Sequence, residues 1–458
     1  MTQPCDLSAA DARRRIEEGV LSVSALLESC IARIEARNPE VNAVVATCYD
    51  RARLQAAELD RQRPSLSTLP TLFGLPVLIK DLIETEGLTT TYGSLFYEDH
   101  VPTHDAHIVT KLRSAGAIIL GKTNTPEFGA GANTFNKVFG VTRNPYDTHL
   151  TCGGSSGGSA VAVACGMAPL AIGSDFGGSL RIPASFCGIV GMRPTPGRVP
   201  CTDMTIGHSP LWTEGPMARS VEDAALCMAA IEGYAAGDPR AAPLRARSDV
   251  TPLALRDLKV GVSADLGVAT LEEGIRTSFE MVMSQLSPLF GKADPIARDM
   301  SSAPEVFRTI RVMVVYARAH ELGEKDLDKL SDNVRNNLGL AHTMTLAQTA
   351  KAQAAHTKIF KAFHALFDTY DVLICPATGV SPFSVDEPFP SQIDGAPVSD
   401  YVAWYAVTWV LSPMGCPIVS VPAGRDHKGM PFGIQVVAPR HEDGTALRVA
   451  GALEVALR

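Results

Sequence analysis

The spacing of apolar residues divides the chain into helical and extended stretches before any single side chain is considered. Residues 6–65 carry apolar positions at helical intervals, in LSAADARRRIEEG, in SVSALLESCIARIEARN and in an Ala/Arg/Leu segment that stops at Arg63-Pro64. A helical N-terminal block is expected there, with Ser22 and Ser24 as candidate caps. Leu72 to Ile79 is short, apolar and β-branched at its end, the pattern of a strand that delivers Lys80 and Asp81 at its edge. Residues 115–124 (AGAIILGKTN) read as strand and turn, Ala160 to Ala168 as a buried helix of small residues, and Leu170 to Ile172 as the start of another strand. Ile189 to Val199 reads as a Pro/Gly-rich connection, Ser220 to Ile231 as a helix, 258–263 (LKVGVS) as a strand, 271–370 as largely helical, and VLICP after Asp371 as a strand. The best loops are 235–249 and the Pro/Ser/Gly-rich 376–399. With no internal repeat and no linker, residues 1–458 are expected to form one domain.

Composition narrows the class. The 458 residues are 46% hydrophobic and 20% charged, as in soluble globular proteins. The formal charge of −8 argues against nucleic acid or an anionic membrane as a partner. The opening MTQPCDLSAADARRR lacks the apolar core of a signal peptide, and no apolar run reaches the roughly 18 residues that span a bilayer. A cytoplasmic protein is therefore expected. The ten cysteines are scattered without a CxxC pair, so buried thiols are expected in place of disulfides or a zinc site.

The chain's chemistry concentrates between Thr151 and Arg181. Two Gly-Ser loops, with glycines at 153, 154, 157 and 158 and again at 177 and 178, bracket one short apolar segment. A linker would be flanked by polar sequence, whereas this run opens into a buried-looking helix whose N-terminus gathers N–H groups suited to an anion or oxyanion. A P-loop needs a Lys-Ser/Thr pair after its last glycine, and Ser159-Ala160 stands there instead. The stretch Gly154-Ser155-Ser156-Gly157-Gly158 also reads as the GxSxG nucleophile elbow of α/β-hydrolases, centred on Ser156. An elbow should follow a buried strand, but 147–152 (DTHLTC) is polar.

With Lys80 ending GLPVLIKD, GGSSGGS at 153–159 and GSDFGGSLRIPASFCGIVG at 173–191, the chain resembles the amidase signature family of serine hydrolases. GKTNTPEFG at 121–129, NPYD at 144–147, GCPIVSVPAG and PFGIQVV extend the resemblance over most of the sequence. It implies an α/β fold with a large mixed, twisted sheet covered on both faces by helices. Residues 72–200 would be the catalytic core, wrapped by the N-terminal helices, with 271–370 shaping the substrate site.

The resemblance further implies Ser179 as nucleophile, Ser155 as bridging serine after a cis bond from Gly154, and Lys80 as the base. The N–H groups of Phe176, Gly177, Gly178 and Ser179 would form the oxyanion hole. Lysine can act as a base only when uncharged, which burial favours. Asp175 and Arg181 are expected to pair and hold the nucleophile loop, with Gly154 and Ser156 in support and Lys122 structural.

His100, His104 and His107 lie close in sequence (HVPTHDAH), but no further ligand completes a metal spacing. Asp105 is expected to cap the next helix and leave them exposed. Substrate selection is assigned to 129–141, 301–320 and 376–410, with Gly131, Ala132, Tyr316, Trp404 and Trp409 as candidate pocket residues. The expected activity is hydrolysis of a small-molecule amide, carbamate or ester through an acyl-enzyme without metal or cofactor. A homodimer is compatible with it. The rival is the A-type component of a glutamine amidotransferase, which would need partner chains.

Overall fold

A computed structural model describes residues 3–243, 251, 253–320 and 327–458. Its strands, in chain order, are β1 (Val44–Thr47), β2 (Pro76–Lys80), β3 (Ile118–Thr123), β4 (Phe135–Asn136), β5 (Gly140–Val141), β6 (Leu170–Asp175), β7 (Val190–Arg193) and β8 (Thr213–Ala218). They continue with β9 (Lys259–Val262), β10 (Lys292–Pro295), β11 (Val372–Pro376), β12 (Gln392–Ile393), β13 (Ala396–Pro397), β14 (Ile418–Arg425) and β15 (Pro431–Val437). Eleven of them form one sheet in the order β1-β3-β2-β6-β8-β7-β14-β15-β11-β9-β10, while β4-β5 and β12-β13 are separate hairpins. The sheet is mixed: β2 runs parallel to β3 and β6, and β9 parallel to β10 and β11. The central β6-β8-β7-β14-β15-β11 run is antiparallel.

Side chains on successive strand residues leave opposite faces, and here they enter two different cores. Val372 and Ile374 of β11 join one cluster, and Leu373 and Cys375 join the other. Likewise Val419 and Val421 of β14 lie on one side and Ile418 on the other. The larger cluster draws on the helices Ala9–Glu18, Val23–Val41, Gly157–Ala164, Val221–Ile231 and Asp443–Ala456. The second gathers Ala303–His320 and the short turns from Ala403 to Met414. Helices thus cover both faces of the sheet.

Within this frame several local expectations shift. Ser22 does cap Val23–Val41, accepting from Ala25 N at 3.0 Å, but Ser24 turns its hydroxyl to Asp60 Oδ2 at 2.6 Å. Asp105 does not cap His107–Ser114; its carboxylate is taken by Glu86 N and Arg113 Nε. The connection assigned to 189–199 contains β7, the region 271–370 contains edge strand β10, and the loop 376–399 holds the β12-β13 hairpin. These strands are too short for a period of two to stand out from their flanks. The small-residue helix runs Gly157–Ala164, earlier than its apolar pattern, because its glycines belong to the first turn. A Cβ at Gly158 would lie 2.3 Å from Asn124 N, so only glycine allows the helix to start against that backbone. The later part of the 235–249 loop lies outside the described residues.

Candidate active site

Strands β2 and β6 are parallel neighbours, with Ile79 paired to Ile172, so their C-terminal ends reach the same edge of the sheet. Lys80 closes β2, and Ser174 and Asp175 close β6. Such an edge is where open α/β sheets present ligand sites. Lys80 is fully buried, and its Nζ lies 2.6 Å from Ser155 Oγ, 2.9 Å from Ser156 Oγ and 3.0 Å from Ser174 Oγ. Among the described residues its hydrogen-bond partners are three hydroxyls and no carboxylate. Burial holds its pKa well below the ordinary 10.5, against the opposing pull of Asp175 and Glu214. Sequence reasoning misses Ser174, although it sits inside the 173–191 motif. A serine one position before a conspicuous acid gives no periodic signal of its own.

The loop carrying Ser155 and the loop carrying Ser179 are tied to each other. Ser156 N donates to Ser179 O at 3.1 Å, Ser156 Oγ donates to Ser174 O at 3.0 Å, and Ser174 N donates to Ser156 Oγ at 3.2 Å. The Gly154–Ser155 peptide is cis. Ser155 and Ser179 line one cavity, where Ser179 is 8% exposed. Among the described residues no hydrogen bond ties down the Ser179 hydroxyl.

Asp175 organises the turn that presents Ser179. Its carboxylate accepts from Gly178 N (2.9 Å), Leu180 N (3.1 Å), Arg181 Nε and Nη2 (3.0 Å each) and Arg193 Nη1 (2.9 Å). Burial alone would raise this carboxyl; the two guanidiniums and the added hydrogen bonds hold it well below the usual range. The Asp175–Arg181 pair expected from sequence is present, and Arg193 joins it from β7. Gly178 adopts φ +127°, open to glycine alone among common residues, and turns its N–H inward to Asp175. The Gly178 N–H is therefore committed to the carboxylate and does not face the cavity. Phe176, Gly177 and Ser179 line the cavity instead.

The cavity encloses about 860 Å³ with its open mouth included. Gly131 and Ala132 line it, as expected; Tyr316, Trp404 and Trp409 do not. Cavity-lining Phe307, Arg311, Val314, Val315 and Arg318 recur at helical spacing along one face of Ala303–His320. Tyr316 falls on another face of that helix, 38% exposed and edge-on to His342. Trp404 is core, stacked on Phe186. Trp409 stands behind the wall, stacked on Phe307 at 4.8 Å with its indole N–H donated to Val402 O. Tyr401 and Tyr405 supply the aromatic wall from that segment instead, together with Phe128 and Trp212 from other parts of the chain.

Among the described residues, no cluster of His, Cys, Asp or Glu could hold a metal ion. His100 Nε2 and His104 Nε2 face Glu84, at 3.2 and 3.0 Å. Lys122 is buried with its Nζ on Ile83 O and Thr85 Oγ1, and burial lowers its pKa to about 8. It braces the chain just beyond Lys80. The ten cysteines are free thiols, and no helix among the described residues is long and apolar enough to cross a membrane.

The family model Amidase matches residues 25–447. The chain is 34% identical to the A-type component of the glutamyl-tRNA(Gln) amidotransferase of Koribacter versatilis, over 97% of each chain. It is 31% identical to an acylamidase of Rhodococcus erythropolis, over 98% of this chain and 95% of that one. A bacterial aryl acylamidase of the amidase signature enzymes superposes with a TM-score of 0.91 at 28% identity, covering 98% and 96%. A match of this extent in sequence, joined to the mixed sheet and its helical layers, makes the chain a member of the amidase signature family.

Proposed function

We propose that the protein is a self-sufficient acyl-transfer hydrolase that cleaves the C–N bond of small aryl or alkyl amides, and the corresponding carbamates and esters, through an acyl-enzyme on Ser179. The observation that carries this reading is the buried Lys80 amine among three hydroxyls, with no carboxylate among its hydrogen-bond partners in the described residues. A neutral amine has two N–H groups and one lone pair, so one of the three hydroxyls must donate to it. Ser156 is excluded, because its hydrogen goes to Ser174 O. Ser155, at the shortest distance of 2.6 Å, is the best placed donor.

Ser155 then acts as the relay. As Ser179 Oγ attacks the carbonyl carbon, its proton passes to Ser155 Oγ while the Ser155 proton passes to Lys80 Nζ, leaving an ammonium. The Ser179–Ser155 hydrogen bond this requires forms as substrate turns the free Ser179 hydroxyl inward. The N–H groups of Phe176, Gly177 and Ser179 receive the oxyanion; losing one such donor typically costs about 10²-fold or more. On collapse, Ser155 protonates the departing nitrogen and is reprotonated by Lys80, so the C–N bond breaks and an ester to Ser179 remains. Water repeats the sequence and frees the acid.

The wall of the cavity argues against free glutamine, the substrate the amidotransferase reading requires. It offers aromatic rings and two guanidiniums but, among the described residues, no carboxylate to receive an α-ammonium. Steady-state assays of the purified chain on 4-nitroacetanilide and on glutamine separate the two. The proposal expects anilide turnover without partner chains; ammonia release from glutamine with an inert anilide would overturn it.

A further inference from the structure

Arg311 stands apart from the other buried arginines. Arg181 and Arg193 share Asp175, and Arg198 pairs with Glu232. Arg311 is 6% exposed, lines the cavity that holds Ser179, and among the described residues has no carboxylate partner. Its Nε and Nη1 are buried without any hydrogen-bond partner. What holds the guanidinium is aromatic: its centre lies 5.8 Å from the ring of Phe307 and 5.2 Å from that of Tyr401. Ring faces fix the plane of the guanidinium but leave its edge, where the N–H groups point, unsatisfied.

A buried cation with unmet donors is costly unless a ligand completes it. We propose that Arg311 determines specificity, and that the substrate of this amidase is an amide bearing a carboxylate, bound edge-on by the guanidinium. This rests on the Ser179 reading above and names the substrate class for that site. Position follows from the helix. Phe307 approaches the oxyanion loop, its Cζ 2.9 Å from where a Cβ on Gly177 would lie, and Arg311 is one turn further on. One turn of four residues is about 6 Å, so a short apolar or aryl spacer separates the carboxylate from the scissile carbonyl.

The test compares glutaric acid mono-4-nitroanilide with its neutral counterpart, pentanoic acid 4-nitroanilide. Calorimetric binding to Ser179→Ala protein needs no turnover. The carboxylate compound is expected to bind at least tenfold more tightly. That advantage is expected to fall below twofold when Arg311→Met is added, and to return in part with Arg311→Lys. In wild-type enzyme the same preference should appear as the ratio of kcat/KM for the two anilides, and Arg311→Met should collapse the ratio. Equal binding of the two compounds, or a preference that survives Arg311→Met, overturns the proposal. Hydrolysis persisting in Ser179→Ala would overturn the nucleophile assignment while leaving the charge preference readable.

Discussion

At the scale of single residues, the proposed catalysis turns on Lys80, whose pKa burial holds well below the ordinary 10.5. Ser179→Ala and Lys80→Ala are each expected to lower kcat/KM by about 10⁴-fold or more, with Ser155→Ala losing several orders of magnitude, all with unchanged folding by circular dichroism. Glu214 gives a finer test. Burial raises its carboxyl to about 7, and its charge, when present, favours the Lys80 ammonium. Glu214→Gln removes that charge, so Lys80 loses its proton more readily and the acid limb of the pH–rate profile should move to lower pH. Stability follows pH in the same direction. An unfolded lysine holds its proton up to about 10.5 and the folded one releases it far earlier, so between those limits the unfolded state binds more protons and this group's contribution to stability rises with pH. Lys80→Met should therefore abolish turnover yet stabilise the fold at neutral pH, by roughly 1–2 kcal/mol, read as a higher melting temperature. Lys80, Ser155 and Ser179 stand out in the sequence through their motifs. Ser174 and Arg311 do not, because a hydroxyl beside an acid and an arginine in an apolar helix look ordinary until their neighbours are known.

At the scale of elements, the two serine loops are held by close backbone approach and by one carboxylate. Gly158→Ala would push a Cβ to 2.3 Å from Asn124 N, and a destabilisation of about 2–3 kcal/mol is expected in denaturant melts. Asp175→Asn leaves Arg181 and Arg193 buried without their counter-charge; a loss of about 3–5 kcal/mol is expected, with activity falling as the Ser179 turn loosens. The helical N-terminal block and the strand ending in Lys80 are legible because long apolar periods and a β-branched run have few alternative readings. Four-residue strands such as β7 and β10 are not, since their partners, and not their own sequence, make them strands. Tyr316 illustrates the same limit inside a helix. Its residue type suggests a pocket wall, but the helical period turns it away from the face shared by Phe307 and Arg311.

At the scale of the molecule, the sheet is what brings Lys80 to two serine loops that follow it far along the chain. The order β3-β2-β6-β8 sets the lysine strand beside the strand that leads into the Ser179 turn. Strand order joins residues distant in sequence, so it is reached through resemblance alone. Val77, Leu78 and Ile79 of β2 are all fully buried in the larger core, so the strand carries the Lys80 amine into surroundings that are apolar up to its last residue. The most direct measurement is the pH dependence of labelling by an activated serine-directed phosphonate, with the modified peptide mapped by mass spectrometry. A neutral Lys80 acting on Ser179 predicts a single adduct on Ser179, formed at a rate that rises with a midpoint well below 10.5 and is nearly lost in Lys80→Ala. An adduct on Ser155, Ser156 or elsewhere, or a midpoint near 10.5, would contradict it.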